Sequence, residues 1–195
     1  MRIPTSGERT QLRVLLEAGV SRETVATNLT STDTFRGLAV DRAFIDILRR
    51  GTDDAGRAYW VTRLRDGLVT RRMRANLYGS SEYVSTQGGG TLRGYVTAAY
   101  RDILGREPEA DGLDYWVGLI EAGTPRGTVA DRFLNTSEAR TVLLRDVFLR
   151  WVDREPSRSE TSDWLAALSS STVDGEVALI RFLAESDYYF NSKDT

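Results

Sequence analysis

Hydrophobic residues recur along this chain at the three- and four-residue steps that mark one face of an α-helix. Leu113, Trp116 and Ile120 show both steps, and Trp60 with Leu64 shows the second. This spacing places apolar side chains on a single stripe of a helix, which then packs against a core. No stretch shows the sustained alternation of apolar and polar residues that predicts a β-strand. The pattern therefore predicts an all-α protein.

The helical blocks are copies of one unit. In two copies a Tyr-Trp pair is followed by a glycine, and a third copy keeps the tryptophan: Tyr59-Trp60 with Gly67, Tyr115-Trp116 with Gly123, and Trp164 with Ser171. An aromatic residue and then an arginine precede each block: Phe44 and Arg50, Tyr100 and Arg106, Phe148 and Arg154. A serine and an acid follow each block: Ser81-Glu82, Ser137-Glu138 and Ser186-Asp187. Recurrence in a fixed order indicates a repeat protein.

Each unit is predicted to contain three helices, of which the first ends near the arginine and the second carries the tryptophan. We expect a partial N-terminal repeat or cap at 1–39 and three repeats at 40–90, 91–142 and 143–195. Gly88-Gly89-Gly90 is interpreted as a flexible insert between repeats. The predicted architecture is a bundle or short solenoid of about eleven helices formed by stacked three-helix repeats. Because the first unit lacks its first helix and its tryptophan, we expect the sequence to be a piece of a longer protein.

Composition excludes several kinds of catalytic site. The chain has no histidine, no cysteine and one lysine, Lys193. Histidine-based triads, thiolate metal sites and Schiff-base lysines of the usual kind are therefore excluded, and we predict no enzyme, no metal and no cofactor. A glycan hydrolase with two catalytic carboxylates stays open, because acidic residues are abundant. The net charge of −2 gives no reason to expect nucleic acid as a partner, and no apolar run predicts membrane insertion.

One stretch resembles a known family. Tyr100–Pro108 (YRDILGREP), Asp111–Trp116 (DGLDYW) and Val129–Leu134 (VADRFL), followed by Ser137-Glu138, resemble the bacterial family of domain of unknown function 4214 (DUF4214). Weaker copies lie at 42–86 and 146–191. The family is distantly similar to the linker domains of phycobilisomes. The resemblance implies an all-helical, non-catalytic module of exported bacterial proteins that act at cell-wall or exopolysaccharide material.

The aromatic residues divide into two groups by helical position. The tryptophans of the repeat motif, Trp60, Trp116 and Trp164, lie on the apolar stripe. This predicts that they pack in the core, although exposed indoles also stack on sugars. Tyr59 and Tyr115 lie one position off the stripe, and we expect them at the surface. They are the candidate platforms for stacking on the apolar C–H faces of sugar rings.

Arginines supply the other candidate ligand residues. Arg50, Arg106 and Arg154 occupy one register, where they either pair with the acids of the serine-acid motifs or bind sugar hydroxyls and carboxylates. A second, basic cluster is either a solvated helix face or a site for an anionic polymer. It comprises Arg63, Arg65, Arg71, Arg72 and Arg74, of which Arg63, Arg71 and Arg72 are taken as candidate ligand residues.

The expected function is non-catalytic binding of a cell-envelope or extracellular polysaccharide in the grooves between units. The protein is expected outside the cell or at its surface, as part of a longer exported chain. The alternative is a scaffold that assembles with other protein subunits, as the resemblance to phycobilisome linkers implies.

Overall fold

A computed structural model describes residues 6–170, and every regular element in that range is helical. The predicted all-α class with about eleven helices is confirmed. The helices are α1 (Ser6–Glu17), α2 (Arg22–Thr30), α3 (Asp33–Leu48), α4 (Asp54–Arg65), α5 (Thr70–Tyr78), α6 (Ser81–Thr86), α7 (Leu92–Ala99), α8 (Ala110–Glu121), α9 (Arg126–Leu134), α10 (Ser137–Trp151) and α11 (Arg158–Ser170). A π-helical segment, Tyr100–Leu104, continues α7. Ser171 and the Ser186-Asp187 motif of the third repeat lie outside the described range.

Polar side chains fix where most of these helices begin. A threonine, aspartate or serine immediately before the helix accepts a hydrogen bond from a backbone N–H of the first turn, as at Thr32, Asp53, Ser80, Thr91 and Thr136. Each such cap stabilises a helix by about 1 kcal/mol. The serine-acid motifs Ser81-Glu82 and Ser137-Glu138 therefore start the helices α6 and α10 instead of closing the preceding ones.

Left-handed residues follow the ends of several helices. Gly19, Gly67 and Gly123 have φ of 83°, 98° and 94°, as their positions after the apolar blocks predict. The residue just before each repeated arginine is also left-handed, with φ of 57° at Arg49, 71° at Gly105 and 59° at Asp153. This turn ends the first helix of each repeat and gives the three following arginines the same starting geometry.

The main core joins the first two repeats and contains a chain of buried tyrosines. Tyr78 and Tyr83 meet edge to face with ring centroids 5.1 Å apart, and Tyr83 and Tyr95 do so at 6.0 Å. The Tyr83 hydroxyl donates to Asp102 Oδ2 at 2.9 Å, and the Tyr95 hydroxyl donates to the Arg126 carbonyl at 3.1 Å. The Tyr83 and Tyr95 hydroxyls thus each have a partner, which offsets their desolvation.

A smaller cluster belongs to the third repeat. It consists of the buried residues Leu144, Val147, Phe148, Val152 and Trp164, so α10 and α11 pack against each other around the third tryptophan. The third repeat thus has an apolar centre of its own in the described range.

The first two repeats meet where α5 crosses α9, the most extensive helix pair in residues 6–170. Arg71 at the start of α5 pairs with Asp131 in the second half of α9. At the other end, Arg126 Nε donates to the Gly79 carbonyl at 3.2 Å. The helices are therefore antiparallel. A Cβ added to Gly79 would lie 2.6 Å from the Gly127 Cα, so the backbones touch where both residues lack a side chain.

The predicted flexible insert is a packed turn instead. The Gly88 N–H bonds to the Tyr83 carbonyl at 3.2 Å, and the Gly90 N–H bonds to the Val84 carbonyl at 2.9 Å. Gly88 is buried, and a Cβ there would lie 2.8 Å from the Tyr95 nitrogen. The turn at 88–90 requires glycine because a side chain would collide with the backbone of α7.

Two of the predicted repeat boundaries do not coincide with loops. The boundary at 39/40 falls inside α3, and that at 142/143 falls inside α10, because each of these helices also carries the apolar stripe of the repeat that follows. The boundary at 90/91 does follow a turn, the glycine triplet between α6 and α7.

Candidate binding surface

Two tyrosines are displayed in the same way by equivalent helices. Tyr59 on α4 is 53% exposed, and Tyr115 on α8 is 58% exposed. Each ring meets the following tryptophan edge to face, with centroids 5.1 Å apart and interplanar angles of 76° for Trp60 and 74° for Trp116. The expectation that both tyrosines lie at the surface is confirmed, and each ring has an indole to support it.

The tryptophans themselves pack inward, as predicted. Trp164 is only 4% exposed, while Trp60 and Trp116 are half-buried and pack against the main core. Trp116 also stacks on Phe133 of α9, with centroids 4.2 Å apart and planes inclined by 29°. The indoles therefore join each repeat's second helix to the interior and leave the tyrosines as the exposed aromatic rings of these helices.

The repeated arginines share one geometry. Each guanidinium lies over the aromatic ring of its own repeat, at 5.2 Å for Arg50 on Phe44, 5.1 Å for Arg106 on Tyr100 and 5.3 Å for Arg154 on Phe148. Such cation–π contacts contribute about 0.5–1 kcal/mol at exposed sites. The aromatic residue and the arginine recur together in the sequence because they touch.

The same arginines also form ion pairs, as the structural interpretation of their register predicts. Arg50 donates to both carboxylate oxygens of Glu82 at 2.5 and 2.8 Å, and Arg106 donates to both oxygens of Glu138 at 2.5 and 3.1 Å. The pairing raises the pKa of each of these arginines, and it lowers the pKa of Glu82. The aromatic ring and the carboxylate already contact most of each guanidinium. A ligand-binding role for these arginines therefore stays a prediction.

The third arginine has a different partner within the described range. Arg154 donates to both oxygens of Glu160 at 2.7 and 2.9 Å, and Glu160 in turn accepts from the Ser157 N–H at 2.7 Å. The hydrogen bond from Arg154, with those from Ser157, lowers the pKa of Glu160 to about 2. The partner predicted for Arg154, Asp187, lies outside the residues that the structure describes.

The basic cluster separates into paired and unpaired arginines. Three of its members contact carboxylates: Arg65 pairs with Asp33, Arg71 with Asp131, and Arg74 with Asp46. Within residues 6–170, Arg63 and Arg72 contact no carboxylate, and both are exposed. The cluster therefore offers two uncompensated positive charges instead of five.

A shallow groove of about 670 Å³ runs between α7 and α8 in the second repeat. Leu92, Val117 and Gly118 form its apolar lining, and the pair of Arg93 and Asp114 stands at its polar side, with a nitrogen-oxygen distance of 2.6 Å. Asp114, which lines the groove, precedes the exposed Tyr115 on α8. Its chemistry, an apolar floor beside paired polar groups, suits a hydroxyl-rich ligand.

Comparison with protein families gives one result. The family model described as "Domain of unknown function (DUF4214)" matches residues 74–143. Residues 74–143 are therefore similar to the DUF4214 family. No curated protein and no solved structure matches the chain.

The matched segment begins in α5 and ends in α10, so it contains the second half of α5 and all of α9. It includes Tyr115 and Arg106 with its partner Glu138. The matched segment does not include Tyr59, Arg50 or Arg154. The weaker family copies predicted at 42–86 and 146–191 extend outside this segment and stay predictions.

Some contacts between the repeats were not predicted. Asp102 accepts from the Tyr83 hydroxyl at 2.9 Å and from Arg49 Nη2 at 2.8 Å, so one carboxylate of the second repeat joins two residues of the first. No short-range pattern marks such pairs in a sequence.

In residues 6–170, no helix is both long and apolar enough to cross a membrane, and no three acidic side chains are grouped to hold a metal ion.

Proposed function

We propose that this chain is a non-catalytic polysaccharide-binding module in which Tyr59 and Tyr115 are the sugar-stacking platforms. The observation that supports the proposal is the repeated geometry: two tyrosines at one register, each more than half exposed and each held edge-on by a tryptophan. Two exposed rings at one register, each supported by an indole, give the chain a repeated aromatic surface that a ligand can contact.

Stacking on sugars follows from the chemistry of the two partners. A pyranose ring has an apolar face of C–H groups that fits an aromatic ring, and such a contact contributes on the order of 1 kcal/mol. One platform alone binds weakly, with a Kd in the millimolar range. Two platforms on one chain can bind the same polymer, which increases the apparent affinity by about 10²–10⁴ if the spacing allows both to engage.

The resemblance stated above suggests the source of the ligand. Family members of this kind are expected in exported bacterial proteins, so we propose a cell-envelope or extracellular polysaccharide as the ligand. By the same reasoning we propose an extracellular or surface location, as part of a longer exported chain.

Affinity electrophoresis tests the proposal. The protein is run through native gels that contain alginate, a neutral cellulose derivative or bacterial exopolysaccharide, and its mobility is compared with that in a gel without glycan. Tyr59→Ala and Tyr115→Ala should each reduce the retardation, and the double variant should abolish it. Ile45→Ala is the matched control, because Ile45 is a 54% exposed apolar residue on α3. A folded wild-type protein that no glycan retards would refute the proposal.

A second candidate function, a protein assembly module, rests on α1. Val14, Leu15 and Leu16 are 55%, 41% and 37% exposed on this helix, and such adjacent apolar groups favour association with another protein surface. The candidate predicts self-association that rises with concentration and is lost in a Val14→Ser, Leu15→Ser variant. Light scattering over a range of concentrations measures this, and a monomer at every concentration would count against assembly through a second copy.

A further inference from the structure

The two tyrosine platforms differ in the residue that lies one helical turn after the tyrosine. Arg63 follows Tyr59 by four residues on α4, and Leu119 follows Tyr115 by four residues on α8. The Arg63 guanidinium lies 5.8 Å from the Tyr59 ring centroid, and its Nη1 is 3.5 Å from the Tyr59 hydroxyl. Leu119 instead packs against the main core. Within residues 6–170, only the first of the two platforms therefore has a guanidinium over its ring.

The charge of Arg63 is not balanced by a carboxylate. The neighbouring Arg65 and Arg71 pair with Asp33 and Asp131, whereas Arg63 contacts no acid within the described part of the chain. Its side chain is exposed, so its N–H groups beyond the tyrosine contact are available to a ligand. An exposed guanidinium offers a planar set of donors that matches a carboxylate with two parallel hydrogen bonds.

The helices that carry the two platforms also differ in charge. α4 contains three arginines, Arg57, Arg63 and Arg65, and one acid, Asp54. α8 contains three acids, Asp111, Asp114 and Glu121, and no basic residue. Asp41 and Asp33 balance Arg57 and Arg65, which leaves Arg63, among the described residues, as the unpaired cation beside Tyr59. On α8, Asp111 and Glu121 repel an anionic polymer from the surface around Tyr115.

Resting on the proposed function, we infer that the Tyr59 platform takes a carboxylate-bearing sugar, a uronic acid unit, and that Arg63 binds its carboxylate. The Tyr115 platform takes an uncharged sugar unit, with the neutral pair of Arg93 and Asp114 in the adjoining groove available to its hydroxyls. The two repeats thus bind different units of a polysaccharide, and the residue four positions after the tyrosine determines which unit each repeat binds.

The test compares a carboxylated glycan with an uncharged one. Retardation is measured in gels with alginate and with hydroxyethyl cellulose for the full chain and for Arg63→Leu, which gives the first platform the residue of the second. The variant should lose roughly tenfold in affinity for alginate, as expected when one charge-assisted contact is lost, and should keep its affinity for hydroxyethyl cellulose. Arg63→Lys keeps the charge without the paired donors. Its affinity for alginate should therefore lie between that of the unchanged chain and that of Arg63→Leu.

A matched control separates a specific contact from diffuse attraction. Arg72 is also exposed and also contacts no acid in residues 6–170, so Arg72→Leu removes the same charge away from a tyrosine. Its alginate affinity should fall much less than that of Arg63→Leu. The reverse exchange, Leu119→Arg, should raise alginate affinity, with circular dichroism to confirm that the half-buried position still allows folding.

The outcomes distinguish this inference from the function on which it rests. Retardation by hydroxyethyl cellulose but not by alginate would overturn the inference and leave polysaccharide binding intact. Equal losses from Arg63→Leu and Arg72→Leu would also overturn it, because binding would then follow net charge alone. If the protein is retarded neither by these two glycans nor by bacterial exopolysaccharide, the proposed function itself is refuted.

Discussion

The crossing of α5 and α9 makes a sharp prediction about two glycines. Gly79 has φ −77° and ψ −3°, a conformation that alanine adopts without strain, so only the surrounding space limits this position. A Cβ there would collide with the nitrogen of Gly127 and would lie 2.6 Å from its Cα. These are backbone atoms of a packed helix, so the two helices must separate to admit a methyl group.

The magnitude follows from two opposing terms. Overpacking of a well-packed contact lowers the free energy of unfolding by about 1–3 kcal/mol. The reduced entropy of the unfolded chain raises it by about 0.4–1 kcal/mol. Gly79→Ala should therefore lower the free energy of unfolding by about 1–2 kcal/mol. For a chain of this length the melting temperature should fall by about 2–8 °C.

Gly127→Ala is the matched control in the same contact. A Cβ on Gly127 meets only the Ala75 carbonyl oxygen at 3.8 Å, an ordinary van der Waals distance. With no collision, the entropy gain and the better helix propensity of alanine should make this variant equal to the wild type or up to about 1 kcal/mol more stable.

Urea unfolding followed by tryptophan fluorescence measures both variants. Trp116 stacks on Phe133 of α9, so its emission reports on the crossing. If Gly79→Ala is as stable as the wild type, or if Gly127→Ala is equally destabilised, then close backbone contact does not hold these helices together and the reasoning is wrong.

Two further predictions concern carboxylates. Because Arg154 and Ser157 lower the pKa of Glu160 to about 2 from 4.5, its stabilising effect is complete above pH 4.5 and is lost as the pH falls towards 2. Glu160→Gln should therefore be less stable than the wild type at pH 7 and equally stable near pH 2, as urea midpoints across that range will show; a constant difference would contradict the pairing. Asp102→Ala leaves the buried Tyr83 hydroxyl without its acceptor and should cost about 1–3 kcal/mol, whereas Tyr83→Phe should cost about 1 kcal/mol. Thermal unfolding compares them, and equal costs would show that the orphaned hydroxyl does not matter.

Much of the secondary structure was predictable because it depends on neighbours within one helical turn. The spacing of Trp116 and Ile120 predicts the helix and its buried face, and the position of Tyr115 off that stripe predicts its exposure. The pairing of Arg50 with Glu82 was also predictable, since both belong to a motif that recurs in the same order. Repetition gives a long-range contact a signal that a single copy lacks.

The tertiary structure decided what depends on how whole helices meet. Nothing local distinguishes Gly79 from a surface glycine, and its role follows from the approach of Gly127, 48 residues later in the chain. The glycine triplet looked like a linker because composition alone carries no information on packing, yet Gly88 is buried against α7. Similarly, five arginines formed one cluster in the sequence, and only the folded positions of distant aspartates showed which charges are balanced. Short-range patterns set the helices, and the distances between their surfaces set everything that joins one repeat to the next.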